Sequence, residues 1–253
     1  MDEERGRSSF TTEFIQAVSD WQRGGDSRQK RRRGARLKEV SADIDERFRK
    51  CGLVVYRQIA LEEGSIWNLI AERNLPETIS AWTLSPAVAK IFKGGVPPDG
   101  WQGVIVAIKP PAGSVVLNLN AIYRSEEFLA ALERDKCLVT GYADGAGRYG
   151  ETQSEVILEI ESLDSSDIYA LGGYSADRNT LIRMMFDSEP TPELVRWFEE
   201  NSSKADVRPG PMWLEGDPLQ RVMERMQPHI RRLKPIRASQ LATRGKAGRT
   251  EDT

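Results

Sequence analysis

Three short stretches of this chain carry residues that could do chemistry: an arginine inside an apolar strand, hydroxyls at the end of another, and a glutamate two residues after a glutamine. In "LVVYRQIA" (53–60) alternate side chains share a face, so Leu53, Val55, Arg57 and Ile59 form one row that Arg57 interrupts. A guanidinium among apolar neighbours needs an anion. That anion is either a carboxylate of the same chain or a phosphate, whose oxygens a planar fork can meet two at a time. In "ISAWTLSPAVAKIF" (79–92) the hydroxyls of Ser80, Thr83 and Ser85 either cap the helix that follows or brace a ligand or a catalytic carboxylate. In "TQSEVILEI" (152–160) Ser154, Val156, Leu158 and Ile160 share an apolar face, and Gln153 and Glu155 stand together on the other. Glu155 is there either as a solvated edge residue or as a positioned acid.

The elements that must position these residues follow from periodicity. Phe10, Phe14, Val18 and Trp21 recur at helical spacing and predict an amphipathic helix over 8–23. The glycine pair and the basic block after it, "RQKRRRGARLK" (28–38), read as a linker or arm. A helix is expected over "EVSADIDERFRKCG", ending near Gly52, and a short one over "SIWNLIAERN", stopped by Asn74 and Pro76. Pro86 suits the first turn of a helix "PAVAKIF". "WQGVIVAIK", "SVVLNL", "KCLVTGYA", "TQSEVILEI" and "DIYALGGYS" read as strands, "SEEFLAALERD" as a helix and "DGAGRYGE" as a loop. Further helices are expected at 191–202 and 217–233, before a polar, basic tail read as disordered. Strands crowded around short helices predict an α+β domain. The divisions expected are an N-terminal helix with its basic arm (1–40), the α+β domain (41–185), a C-terminal helical extension (186–234) and the tail (235–253).

Bulk composition narrows the classes. A chain of 253 residues with 39% hydrophobic and 29% charged residues suits a soluble fold with one sizeable core. The net charge of −2 hides basic ends around an acidic middle. Two cysteines, Cys51 and Cys137, make no disulfide framework and point to a reducing cytosol. No apolar run is long enough for a transmembrane helix, so the expectation is a cytoplasmic protein, in the producing cell or in a target cell.

Taken in order, Arg57 on the first strand, the hydroxyl-bearing end of "ISAWTLS" with its downstream helix, and Q-S-E opening a late strand resemble the arginine–serine–glutamate branch of the mono-ADP-ribosyltransferases, of toxin or effector type. The resemblance covers roughly residues 50–175. It implies a split β-sheet core with short flanking helices, and NAD as co-substrate with no metal. It implies that Arg57 holds the NAD phosphates, that Thr83 with Ser80 supports the pocket, and that Glu155 is the catalytic glutamate. Gln153 would help choose the acceptor, and Tyr149 in "YADGAGRYG" would contact it. Trp82, Phe92 and Trp101 lie close to these motifs in the sequence, and one of them could stack on nicotinamide. The chain departs from the family pattern at Ala81, where the hydroxyl motif usually begins with serine, and Tyr149 lies one residue further from the glutamate than usual. Branches of the fold that need an early histidine are excluded, because His229 is the only histidine and reads as an ordinary helix-end residue.

The expected function is transfer of ADP-ribose from NAD to a non-arginine acceptor, since arginine-modifying relatives usually carry glutamate at the position of Gln153. A nucleic-acid base is favoured slightly over a protein Asn or Gln side chain, because basic ends suit a polyanion. The alternatives are a nucleic-acid-binding protein with an inactive transferase-like domain, and an NAD glycohydrolase. A neutralising antitoxin or immunity protein is a further partner that this type implies. If the first 40 residues are an arm, deleting them should leave NAD hydrolysis intact.

Overall fold

The structure, a computed structural model, describes residues 10–62, 75, 77–98, 101–150, 152–175, 177–204 and 210–247. It is a mixed helix-and-sheet chain whose described strand pairings are antiparallel, in keeping with α+β. In chain order the elements begin with helices α1 (Thr12–Gln22) and α2 (Ser27–Val40) and strands β1 (Val55–Glu62) and β2 (Ile79–Thr83). Helix α3 (Pro86–Ile91), strands β3 (Trp101–Ile108) and β4 (Val115–Leu117), and helices α4 (Leu119–Ile122), α5 (Glu126–Asp135) and α6 (Ala146–Tyr149) follow. The chain continues through β5 (Glu155–Glu159), β6 (Ile168–Ser175), α7 (Arg178–Phe186), α8 (Pro192–Lys204), β7 (Gly210–Leu214) and α9 (Gly216–Ala247). Among the described residues no helix is long and apolar enough to cross a membrane.

The chain divides into two compact units, the first made of residues 1–57, 74–89 and 107–163 and the second of residues 58–73, 90–106 and 164–253. In the first unit the strand order is β4-β5-β2-β1. Its core is a cluster of rings and aliphatic chains to which α1 gives Phe14, Ile15, Ala17 and Val18; Phe10, just ahead of α1, is buried with them, as are Phe48, Leu117, Ile122, Phe128 and Ile157. Phe10 stands at the centre, its ring 5.5 Å from Phe14, 5.6 Å from Phe48 and 5.2 Å from Phe128. Polar ties hold α1 in place as well. Thr12 Oγ1 donates to Asp135 at the end of α5, and the Gln16 amide pairs with both the N–H and the C=O of Thr140. Gly145 lies so close to Ser19 that a Cβ would sit 2.3 Å from its carbonyl oxygen; only glycine permits that approach.

Helix α2 corrects the linker-or-arm reading of the basic block. Asp26 and Gln29 form a capping box at its start, which satisfies backbone donors left open by the first turn. Like charges three and four apart oppose the helix by a few tenths of a kcal/mol per pair. Acidic neighbours offset this repulsion: Lys30 meets Glu77, Arg36 meets Glu13 and Glu39, and Lys38 meets Glu159. Composition reported the cations and could not report the carboxylates that chain folding brings to them.

Other expectations shift for local reasons. The helix expected to end near Gly52 stops at Val40, and only a 3-10 turn at Glu46–Arg49, capped by Asp45, remains of it. "KCLVTGYA" is not a strand: Gly141 takes a left-handed φ of 69° and Thr140 is held by Gln16 rather than by a neighbouring strand. The loop "DGAGRYGE" contains α6. The helix expected over "SIWNLIAERN" lies outside the described residues.

In the second unit β3-β6-β7 run antiparallel, with Trp213 Nε1 donating to the Lys90 carbonyl at 3.0 Å. Phe186 at the end of α7 meets Trp197 of α8 edge to face, 5.2 Å between ring centres. The extension expected to be helical contributes the strand β7, and the tail read as disordered continues α9 as far as Ala247.

Phe14→Ala should lower the stability of the first unit by about 3–5 kcal/mol, the cost of emptying a ring-sized core site, measured by denaturant unfolding. Deleting residues 1–40 should abolish cooperative unfolding of that unit rather than leave an active domain. A truncated chain that still unfolds cooperatively would overturn the placement of α1 in the core.

Candidate active site

The first unit brings the three chemistry-bearing strands together. Tyr56 of β1 lies opposite Thr83 of β2, and Thr83 lies opposite Glu155 of β5. Arg57 is therefore next to a row that crosses three strands and ends in the glutamate, and as the strand neighbour of Tyr56 it turns its side chain to the opposite face of the sheet. Directly opposed residues share a face of an antiparallel sheet. Thr83 and Glu155 accordingly face the same way as Ile79 and Ile157, towards the side where Ile157 joins the core and Gly34 of α2 approaches Ile79.

Glu155 is a positioned acid and not a solvated edge residue: it is 6% exposed, and its Oε1 accepts a hydrogen bond from Trp21 Nε1 of α1 at 2.7 Å. Burial pushes its carboxyl up to about 7, and the Trp21 N–H opposes that rise by favouring the anion. Tyr123, just past α4, is raised well above the usual phenol value by its own burial first and by the negative charge of Glu155 second. Its hydroxyl donates to Gln22 Oε1 at 2.7 Å. The turn before Glu155 is unusual in that Ser154 has φ 46°, a left-handed backbone that a non-glycine residue adopts at a cost of about 1–3 kcal/mol. Two bonds from the end of β2 hold it there: Thr83 Oγ1 donates to the Gln153 carbonyl at 2.7 Å, and the Leu84 N–H donates to the Ser154 carbonyl at 3.0 Å.

Thr83 thus braces the backbone on which the glutamate stands, not the carboxylate itself. Ser85 caps α3, accepting from the Val88 N–H at 3.3 Å. Ser80 and Trp82 point into the sheet interior, where they are 1% and 2% exposed and the indole N–H of Trp82 donates to Ser80 Oγ at 3.1 Å. A ring buried and bonded in that way is core, which corrects the expectation that it stacks on a ligand. Phe92 belongs to the second unit and is 42% exposed. Gln153 is half-buried beside the turn, and Tyr149, at the end of α6, is half-buried under the Arg148 guanidinium.

Arg57 meets Glu77 at 2.9 Å, and Glu77 is shared with Lys30 at 3.6 Å. Burial lowers the guanidinium below its ordinary value, opposed by the charge of Glu77 and its hydrogen bond. The ion-pair reading of Arg57 is therefore fulfilled, but only by one nitrogen: Nη1 is buried with no hydrogen-bond partner. Unpaired buried donors of this kind are uncommon and costly.

Trp21, Glu77 and Tyr123 are the residues that the motif reading missed. Trp21 appeared in the sequence only as the last member of an apolar stripe, and nothing in that stripe says that one indole will turn its N–H onto a carboxylate 134 residues away. Among the described residues no group of three His, Cys, Asp or Glu side chains is arranged to hold a metal ion. Comparison with protein families, with curated proteins and with solved structures finds no match to this chain.

The raised Glu155 carboxyl has a consequence for stability. The unfolded chain releases this proton near pH 4.5 and the folded protein near pH 7, so folding is opposed progressively as pH rises between those values and by a constant amount above them. Glu155→Gln removes the charge and keeps the acceptor for Trp21. It should therefore stabilise the protein at pH 8 by on the order of 2–3 kcal/mol and change little at pH 4, as read by thermal unfolding at the two pH values. Equal stability of the two proteins at pH 8 would mean that Glu155 is solvated.

Proposed function

We propose that the chain is an NAD-dependent mono-ADP-ribosyltransferase of toxin or effector type, with the split-sheet core of that fold. The observation that carries this reading is the register Tyr56–Thr83–Glu155. It sets the arginine strand, the hydroxyl strand and the glutamate strand side by side, in the order in which the chain presents them. Two features of the side chains support it: a buried carboxylate to which no cation is bonded among the described residues, and a buried arginine with one unpartnered nitrogen.

The chemistry follows from those groups. The Nη1 donors of Arg57 would meet the phosphates of NAD. The Glu155 carboxylate would accept a hydrogen bond from a ribose hydroxyl and face the positive charge that grows on the ribose as the nicotinamide leaves with the electrons of the C–N bond. A buried anion is worth more there than in water, because little solvent screens it. The nucleophile then attacks the same ribose carbon. Gln153 can donate and accept but has no charge with which to hold a guanidinium, which fits an amide side chain or a nucleobase amino group as acceptor. Lys30, Arg36 and Lys38 are engaged in ion pairs. The argument for a nucleic acid consequently rests on the exposed Arg28, Arg31 and Arg32 and on the C-terminal basic block.

Incubation with labelled NAD and separate pools of protein, RNA and DNA should label one pool. Glu155→Gln should reduce both labelling and nicotinamide release by a factor of about 10²–10³ or more while leaving the fold intact. Unchanged turnover would overturn the assignment of Glu155. Arg57→Lys should weaken NAD affinity in calorimetric titration, because a point cation cannot reproduce the fork. Unchanged affinity would make Arg57 a partner of Glu77 alone. For wild type, activity should rise with pH through about 7 as Glu155 ionises.

A further inference from the structure

None of the hydroxyls expected to support the catalytic glutamate touches it. Thr83 is committed to the Gln153 carbonyl, Ser80 to Trp82 and Ser85 to the cap of α3. The bond that orients the carboxylate comes from Trp21 instead, at 2.7 Å. The indole is itself fixed. A Cβ added at Gly34 of α2 would lie 3.1 Å from the Trp21 ring and 3.1 Å from Ile79 of β2, so the hydrogen of Gly34 makes the notch into which the ring edge fits. Gln22, the next residue of α1, accepts from Tyr123, which places a second α1 side chain against the phenol whose proton the charge of Glu155 helps to retain.

We propose that Trp21 is the positioning residue for Glu155, holding the carboxylate in orientation and charge through its indole N–H, and that the α1–α2 pair is thereby part of the catalytic apparatus. This rests on the reading of Glu155 as the catalytic group. The indole has advantages over a hydroxyl in this place. It donates only, so it selects the ionised carboxylate and cannot serve as a hydrogen-bond acceptor for the protonated one. It is rigid, so once the ring is seated the N–H has one direction. Among the described residues the groups that face Glu155 are Trp21 from α1, Thr83 from β2, and Tyr123 beside α4, itself coupled to Tyr142. No cation is among the influences on its titration. Removing the single N–H should therefore be felt directly.

The test is a carbon-detected NMR titration of full-length protein carrying carboxyl-labelled glutamate, with the Glu155 signal identified by its loss in Glu155→Gln. Trp21→Phe keeps an aromatic ring and removes the donor. It should move the Glu155 midpoint upward by about one pH unit or more, and the pH profile of nicotinamide release should move with it. The rate constant kcat should fall about tenfold or more while KM for NAD changes little. Should Trp21→Phe fail to fold, Gly34→Ala keeps Trp21 and shifts its ring; the midpoint should again rise. A Glu155 midpoint unmoved in a folded variant would overturn the proposal. A midpoint that moves in a protein that consumes no NAD with any acceptor pool would support the Trp21 link and overturn the transferase reading, so the two fail separately.

Discussion

A carboxylate held out of water with one indole for company is the constraint around which the first unit is built. Moving a carboxylate from water into the sheet interior without a cation is costly, and Glu155 bears this with one charge-assisted hydrogen bond, from Trp21. That bond demands that α1 lie across β5, and α1 can lie there only because Phe10, Phe14, Ile15 and Val18 bury their surfaces against Phe128, Phe48 and Ile157. At about 25 cal/mol per Å² of apolar surface removed from water, such a set of side chains outweighs the cost of a single buried charge. The core thus carries an acid that is unfavourable for folding.

The opposite end of the same sheet handles the opposite charge differently. Arg57 is buried but compensated by Glu77, which in turn meets Lys30. A chain of alternating charges joins β1 to α2 there, while β5 and α1 are joined by a neutral donor. The difference suits the two tasks proposed for these groups. A phosphate-binding guanidinium must stay charged and can share a partner, whereas a carboxylate that answers a transient positive charge works best with no permanent cation beside it.

The strands of the site were legible because their signals are local. Alternation in "LVVYRQIA", "ISAWTLS" and "TQSEVILEI" places Arg57, Thr83 and Glu155 on strands, and the observed register then aligns the last two. What escaped was everything fixed by long-range contact. The role of Trp21 depends on a partner far along the chain. The folding of "RQKRRRGARLK" as a helix depends on Glu13, Glu77 and Glu159 arriving from three directions. Trp82 looks the same in the sequence whether it faces a ligand or a core, and only its bond to Ser80 inside the sheet decides between them.

The placement of α1 also bears on when the protein becomes itself during synthesis. Its apolar stripe must wait for Phe128, Val139 and Ile157, and Trp21 for Glu155. Contacts of such sequence separation make folding slow relative to a chain of local contacts. On the ribosome the first helix emerges long before its partners, at translation rates of about 5–20 residues per second. Glu155 is among the last of these groups to be made, and it is seated only when the oldest part of the nascent chain folds back over it.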